Sequence, residues 1–196
     1  MNGGVKMQDP NKLKEIILAG TVEVYGEKGI KFTMDDLAKH LGMSKKTIYT
    51  VYREKKTLFM AMVDYVFDSI KESERKVVED NSLSTIEKIR RILGVLPDSY
   101  KNVDLGQLYI LREKYPDIYV KVEERLETGW DQTIALIEQG IKEGVVRPVN
   151  IKLVKMMFEA SIEQFFSRDI LVKNGISYLE ALDEVVNIIV EGIAAR

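Results

Sequence analysis

Thr33-Met34-Asp35-Asp36-Leu37-Ala38-Lys39-His40-Leu41-Gly42-Met43-Ser44-Lys45-Lys46-Thr47-Ile48-Tyr49-Thr50-Val51-Tyr52 reads as two short helices joined by a glycine corner. Thr33 is placed to cap the first helix. Asp35 and Asp36 then sit at its positive end, and Phe32 before the cap meets Leu37 as a hydrophobic staple. Gly42 follows Leu41 where the chain leaves the helix, a position that favours positive φ and therefore glycine. Ser44 caps the next helix, with Met43 and Ile48 as a second staple. Two caps this close force a tight corner.

At about 100° per residue, the second helix carries Lys45, Lys46, Tyr49 and Thr50 on one contiguous arc. Ile48 and Val51 lie opposite, facing Leu37, Ala38 and Leu41. One face folds and the other is free to recognise. A major groove admits one α-helix, and its base edges and flanking phosphates call for donors such as Lys, Thr, Ser and Tyr. The pattern therefore predicts a DNA-reading helix-turn-helix. Lys45, Lys46, Thr47 and Tyr49 are expected in the groove, with Thr33, Ser44, Tyr52 and Lys55 on phosphates. The competing reading is a helical protein-interaction module, since a helical hairpin with a solvated polar face is a common unit.

The surroundings of the hairpin favour DNA. Gly29 to Ala38, then Leu41-Gly42-Met43-Ser44-Lys45-Lys46-Thr47-Ile48-Tyr49, then Tyr52 to Leu58, resembles the TetR family of bacterial transcriptional regulators in order and spacing across roughly the first 60 residues. The chain departs from that pattern at Thr50 and Val51, where the family has an aromatic and then a histidine or tyrosine. The resemblance implies a homodimeric regulator, read here as a repressor, with a small-molecule pocket in the body behind the head.

Composition fits an all-α, soluble, cytoplasmic chain. The 196 residues are 45% hydrophobic, enough for a sizeable core, and no apolar run approaches the ~18 residues of a membrane span. Residues 1–9 read as a flexible polar tail rather than a secretory leader. The absence of cysteine excludes disulfides, thiolate nucleophiles and cysteine-based metal sites. His40 is the sole histidine and cannot complete a zinc site with a second. With no phosphate loop or nucleophile motif either, neither an enzyme nor a cofactor is expected. Residues 1–60 hold 11 Lys+Arg against 7 Asp+Glu, whereas the remainder holds 18 against 24, so the basic excess lies with the hairpin.

Beyond the hairpin the pattern stays helical, giving about nine helices. The first spans Pro10 to Lys28 with Asp9 as its cap. Residues 10–54 form the head and 55–196 the body, joined by a helix from Lys55 that carries Leu58, Phe59, Met62, Val66 and Ile70 inward. Ser84 and Glu87 start a fifth helix that ends before Pro97, and Asp104 starts a sixth that ends before Pro116. A long seventh is expected from Pro116 to Glu143. The last two, at about 151–173 and 178–194, are apolar over more than one stripe. Such width implies a second covered surface, supplied by the same pair of helices in a partner subunit. Two symmetry-related reading helices would then meet grooves about 34 Å or a multiple apart, on a palindromic operator. Tyr109, Tyr119, Trp130, Met157, Phe158 and Phe165 are the candidate walls of a pocket for an apolar or amphipathic effector.

Overall fold

The computed structural model describes residues 9–97, 100 and 109–195. Most of the expected tail and the start of the sixth helix at Asp104 lie outside them. The head consists of α1 (Pro10–Lys28), a single 3-10 turn (Gly29–Lys31), α2 (Met34–Leu41) and α3 (Lys45–Val51). The body follows as α4 (Lys55–Glu79), α5 (Thr85–Leu93), α6 (Tyr109–Lys114), α7 (Pro116–Glu127), α8 (Asp131–Glu143), α9 (Ile151–Ser167), α10 (Ile170–Asn174) and α11 (Tyr178–Ile193). Among the described residues the chain is all-helical apart from one isolated antiparallel bridge, Val146 to Ala194, which ties the end of α11 to the turn after α8. No described helix is long and apolar enough to cross a membrane.

The capping chemistry lies where the residue types require it. Asp9 accepts from the Asn11 N–H at the start of α1, and capping boxes begin α2 (Thr33, Asp36), α5 (Ser84, Glu87) and α11 (Ser177, Glu180). Asp36 also takes the Lys28 ammonium at 2.6 Å. That bond and those from Thr33 hold its carboxyl far below the ordinary aspartate range.

Two of the expected helices are divided. The stretch from Pro116 to Glu143 breaks at Thr128–Trp130, because Gly129 adopts φ +76° and the Trp130 indole N–H turns back to the Leu126 carbonyl at 2.9 Å. Lys71 of α4 then donates to the freed Gly129 carbonyl at 2.8 Å. The stretch 151–173 breaks at Arg168, whose extended backbone (φ −138°, ψ 158°) separates α9 from α10.

At 25 residues, α4 is about 37 Å long and belongs to both parts of the molecule. Leu58 and Phe59 are fully buried, and the Phe59 ring lies 5.3 Å from Phe32, 6.1 Å from Tyr25 and 6.1 Å from Tyr115 of the body. Lys55, at the helix start, donates to the carbonyls of Ile30 and Phe32 and lies over the Phe32 ring at 4.4 Å. Burial pushes its ammonium below the ordinary lysine value. Its role in this structure is a strut between the 3-10 turn and α4.

Two stability predictions follow from these junctions. Lys55→Met should destabilise the chain by about 1–3 kcal/mol in urea titrations, because two carbonyls lose a charged donor; unchanged stability would show that the strut carries no load. Gly129→Ala should cost about 1–2 kcal/mol for the left-handed conformation alone, with a further loss because the new Cβ would lie 2.7 Å from Lys71 Cε. A midpoint equal to the native one would contradict that reading of the α7–α8 break.

Candidate nucleic-acid interface and ligand cavity

The hairpin is fixed from both sides. Gly42 takes the left-handed conformation (φ 60°) and closes α2 by donating to the Ala38 and Lys39 carbonyls. Ser44 Oγ accepts from the Thr47 N–H at 3.1 Å and lies 2.9 Å from the Thr47 hydroxyl. Ile48 is completely buried among Leu37, Ala38 and the rest of the head core. With one face of α3 pinned by Ile48, Lys45, Lys46, Tyr49 and Thr50 are all exposed. The expected arc thus exists as a surface.

Its members are not equivalent. Lys46 and Tyr49 lie on the open face, Tyr49 with 42% of its surface exposed. Lys45 is pulled toward α2 by Asp35 at 2.9 Å, and that partner raises its pKa. Thr50 bends its hydroxyl back to the Thr47 carbonyl at 2.6 Å. Thr33 and Ser44 are exposed at the helix starts, although both side chains are engaged in caps. Tyr52 is half-buried against the head, and burial pushes its hydroxyl pKa up. Lys55 is grouped with none of them, since its ammonium faces the carbonyls of the strut.

The body contains two adjoining cavities. The first, of about 120 Å³, lies between α1, α4, α6, α7, α9 and α11, with Tyr25, Phe59, Met62, Val63 and Phe166 among its walls. The second, of about 100 Å³, lies farther along α4 and includes Lys71, Glu74, Trp130, Thr133 and Phe158. Phe67, Ile70, Leu96, Leu126 and Tyr178 border both. Of the six candidate wall residues, Trp130 and Phe158 meet at the second cavity, their rings 5.5 Å apart. Tyr109 is half-buried and Tyr119 buried, but neither borders the cavities. Phe165 packs edge-on to Tyr178, and Met157 is 57% exposed. The principal wall is the inward stripe of α4, whose residues the sequence turns inward without placing them at a pocket. Periodicity signals that a residue turns inward, and it does not say whether a side chain or a void meets it.

Near the α4 end of the second cavity, Lys71 Nζ donates to Glu74 Oε1 and Oε2 at 2.8 and 2.9 Å. Glu74 is only 6% exposed, and burial pushes its carboxyl pKa up against the opposing pull of Lys71. His40 lies far from any such chemistry, at 2.6 Å from Glu23 on the head surface.

Residues 17–62 match the family described as bacterial regulatory proteins of the tetR family. The HTH-type transcriptional regulator YvaF of Bacillus subtilis is 31% identical over 179 residues, covering 91% of this chain and 94% of that protein. Among solved structures, a TetR transcription regulator from Haloarcula marismortui superposes with a TM-score of 0.70 at 18% identity, over 94% of this chain and 99% of that one. The transcriptional regulator FadR from Bacillus subtilis, solved in complex with stearoyl-CoA, gives 0.61 at 17% identity, over 91% and 98%. These two likenesses concern the fold. An outward α3 on a doubly capped hairpin, the matched head and a full-length relative together place this chain in the TetR family of helix-turn-helix, DNA-binding transcriptional regulators.

Proposed function

We propose that the protein is a homodimeric repressor that binds a palindromic operator and leaves it when a small molecule enters the body. The observation that carries the DNA contact is the burial of Ile48, which fixes the azimuth of α3 and turns Lys46 and Tyr49 outward together. Lys46, Tyr49 and Thr47 read the groove, with Lys45 reaching it at the expense of its bond to Asp35. Thr33, Ser44 and Tyr52 flank the phosphates, where the α2 and α3 N-termini add their dipoles. Lys55 supports this surface from behind.

The dimer reading rests on the outer side of α9 and α11. Leu153, Met156 and Met157 of α9 are 53–61% exposed, and Ile188 of α11 is 63% exposed, although the two helices pack on each other. A second copy of the same pair covers these side chains in a four-helix bundle. Such a two-fold would fix the spacing of two α3 helices along one duplex.

Effector release follows from the placement of the first cavity against Phe59 and Tyr25, which also belong to the head core. A void of about 120 Å³ is near the ~150 Å³ that takes a benzene, so any larger molecule must displace α4 or its neighbours. FadR with its stearoyl-CoA illustrates a related fold holding an apolar chain. For this chain the effector is expected to be apolar or amphipathic.

On an operator selected from random duplexes, Lys46→Ala and Tyr49→Ala should each weaken binding by about 1–3 kcal/mol while leaving the dimer intact by light scattering. Met156→Glu should instead yield monomers that bind a single half-site weakly. Native operator affinity in both α3 variants would remove the assigned reading face, and a dimeric Met156→Glu chain would remove the assigned interface.

A further inference from the structure

Glu74 is the buried carboxylate of the two cavities' walls, and its neutralising partner is the more exposed of the pair. The Lys71 side chain is 36% exposed against 8% for Glu74. Its ammonium has three hydrogens and three acceptors: the two Glu74 oxygens, and the Gly129 carbonyl at 2.8 Å. The flexible lysine stem can carry that ammonium into water at small cost, whereas Glu74, buried on a shorter side chain toward the C-terminal end of α4, cannot follow. A buried carboxylate left behind needs another cation with hydrogen-bond donors.

The surroundings narrow the chemistry further. Arg125 also borders this cavity, yet its guanidinium is held by Asp68 at 2.6 Å and lies 3.5 Å from Asp64. The Thr128 hydroxyl donates to the Glu124 carbonyl at 3.0 Å. Cationic donors for an incoming anion are therefore already engaged, and an anion would lie beside Glu74. From Glu74 the wall continues through Ile70 and Phe67 into the apolar chamber. The site thus has one negative acceptor end and one apolar end about the size of an aromatic ring.

We propose that the Lys71–Glu74 pair is an exchangeable head-group site for a small amphipathic primary amine, whose ammonium replaces that of Lys71 while its apolar tail lies along Ile70, Phe67 and Leu126, where the two cavities adjoin. The assignment rests on the effector-cavity reading given above and specifies its ligand class. A primary ammonium reproduces all three hydrogen bonds that Lys71 gives up, including the one to Gly129; a quaternary ammonium, lacking N–H groups, reproduces none. The bridge between Glu74 of α4 and the Gly129 corner then runs through the ligand instead of the Lys71 stem.

Trp130 is the sole tryptophan and borders the site, so its fluorescence reports occupancy directly. The full-length chain is titrated with three probes matched in tail: 4-phenylbutylammonium, 4-phenylbutanol and 4-phenylbutyrate. The ammonium should bind at least ~10-fold more tightly than the other two, and Glu74→Gln should abolish that preference while leaving the alcohol's affinity in place. Lys71→Met removes the competing cation and should tighten the ammonium alone, which provides an independent check should the Glu74 variant fold poorly. Equal or tighter binding of the carboxylate, or an ammonium preference that survives Glu74→Gln, would overturn the amine assignment while leaving the effector cavity standing. Failure of all three probes to change Trp130 emission or compete with one another would overturn both readings.

Discussion

Phe59 cannot be assigned to one half of this molecule. Its ring closes the head core against Phe32 and Tyr25, contacts Tyr115 of the body and forms part of the cavity wall. Burying a phenylalanine contributes about 1.5–3 kcal/mol, and each aromatic pair adds about 0.5–1.5 more. The ion pairs that also link α4 to α7, namely Lys56 with Asp117, Lys121 with Asp64 and Arg125 with Asp68, are each at least partly exposed to solvent and screened by it, so each contributes modestly. Apolar packing at the start of one continuous helix is thus what connects the two parts. The cavity and the head core therefore share the Phe59 and Tyr25 rings.

Legibility of the fold in the sequence depended on how local the determining physics is. Thr33 with Asp36, Gly42, Ser84 with Glu87 and Ser177 with Glu180 act within four residues, and their pattern places helix starts and the hairpin corner directly. The break at Gly129 is different. Helical periodicity runs through Thr128–Trp130, and the corner depends on an indole bond to Leu126 and on Lys71 arriving from 58 residues away. Likewise, the role of Lys55 was set by two carbonyls of the 3-10 turn across the head, which charge and spacing alone do not reveal. The α3 arc was readable because Ile48 and Val51 mark its inner side. The cavity was not, because a void is a property of several helices at once.

Charge illustrates the same distinction. The basic excess of residues 1–60 is a correct count, but Lys28, Lys45 and Lys55 spend their ammonium groups on Asp36, Asp35 and backbone carbonyls. What faces outward is a smaller set that includes Lys31, Lys39, Lys46 and Arg53, all exposed around the hairpin. These bonds position the helices, and in the proposed function the exposed remainder meets phosphate. This division explains how a chain of net charge −2 can present a basic reading end.

The central claim, that the cavity and the reading helices share one structural element, is tested most directly without any ligand. Val66 faces the first cavity from α4 and lies well along the helix from the head. In a Val66→Trp chain shown by circular dichroism and light scattering to be folded and of native assembly, the filled void should lower affinity for the selected operator by ~10-fold or more. Native operator affinity with the cavity filled would contradict the account.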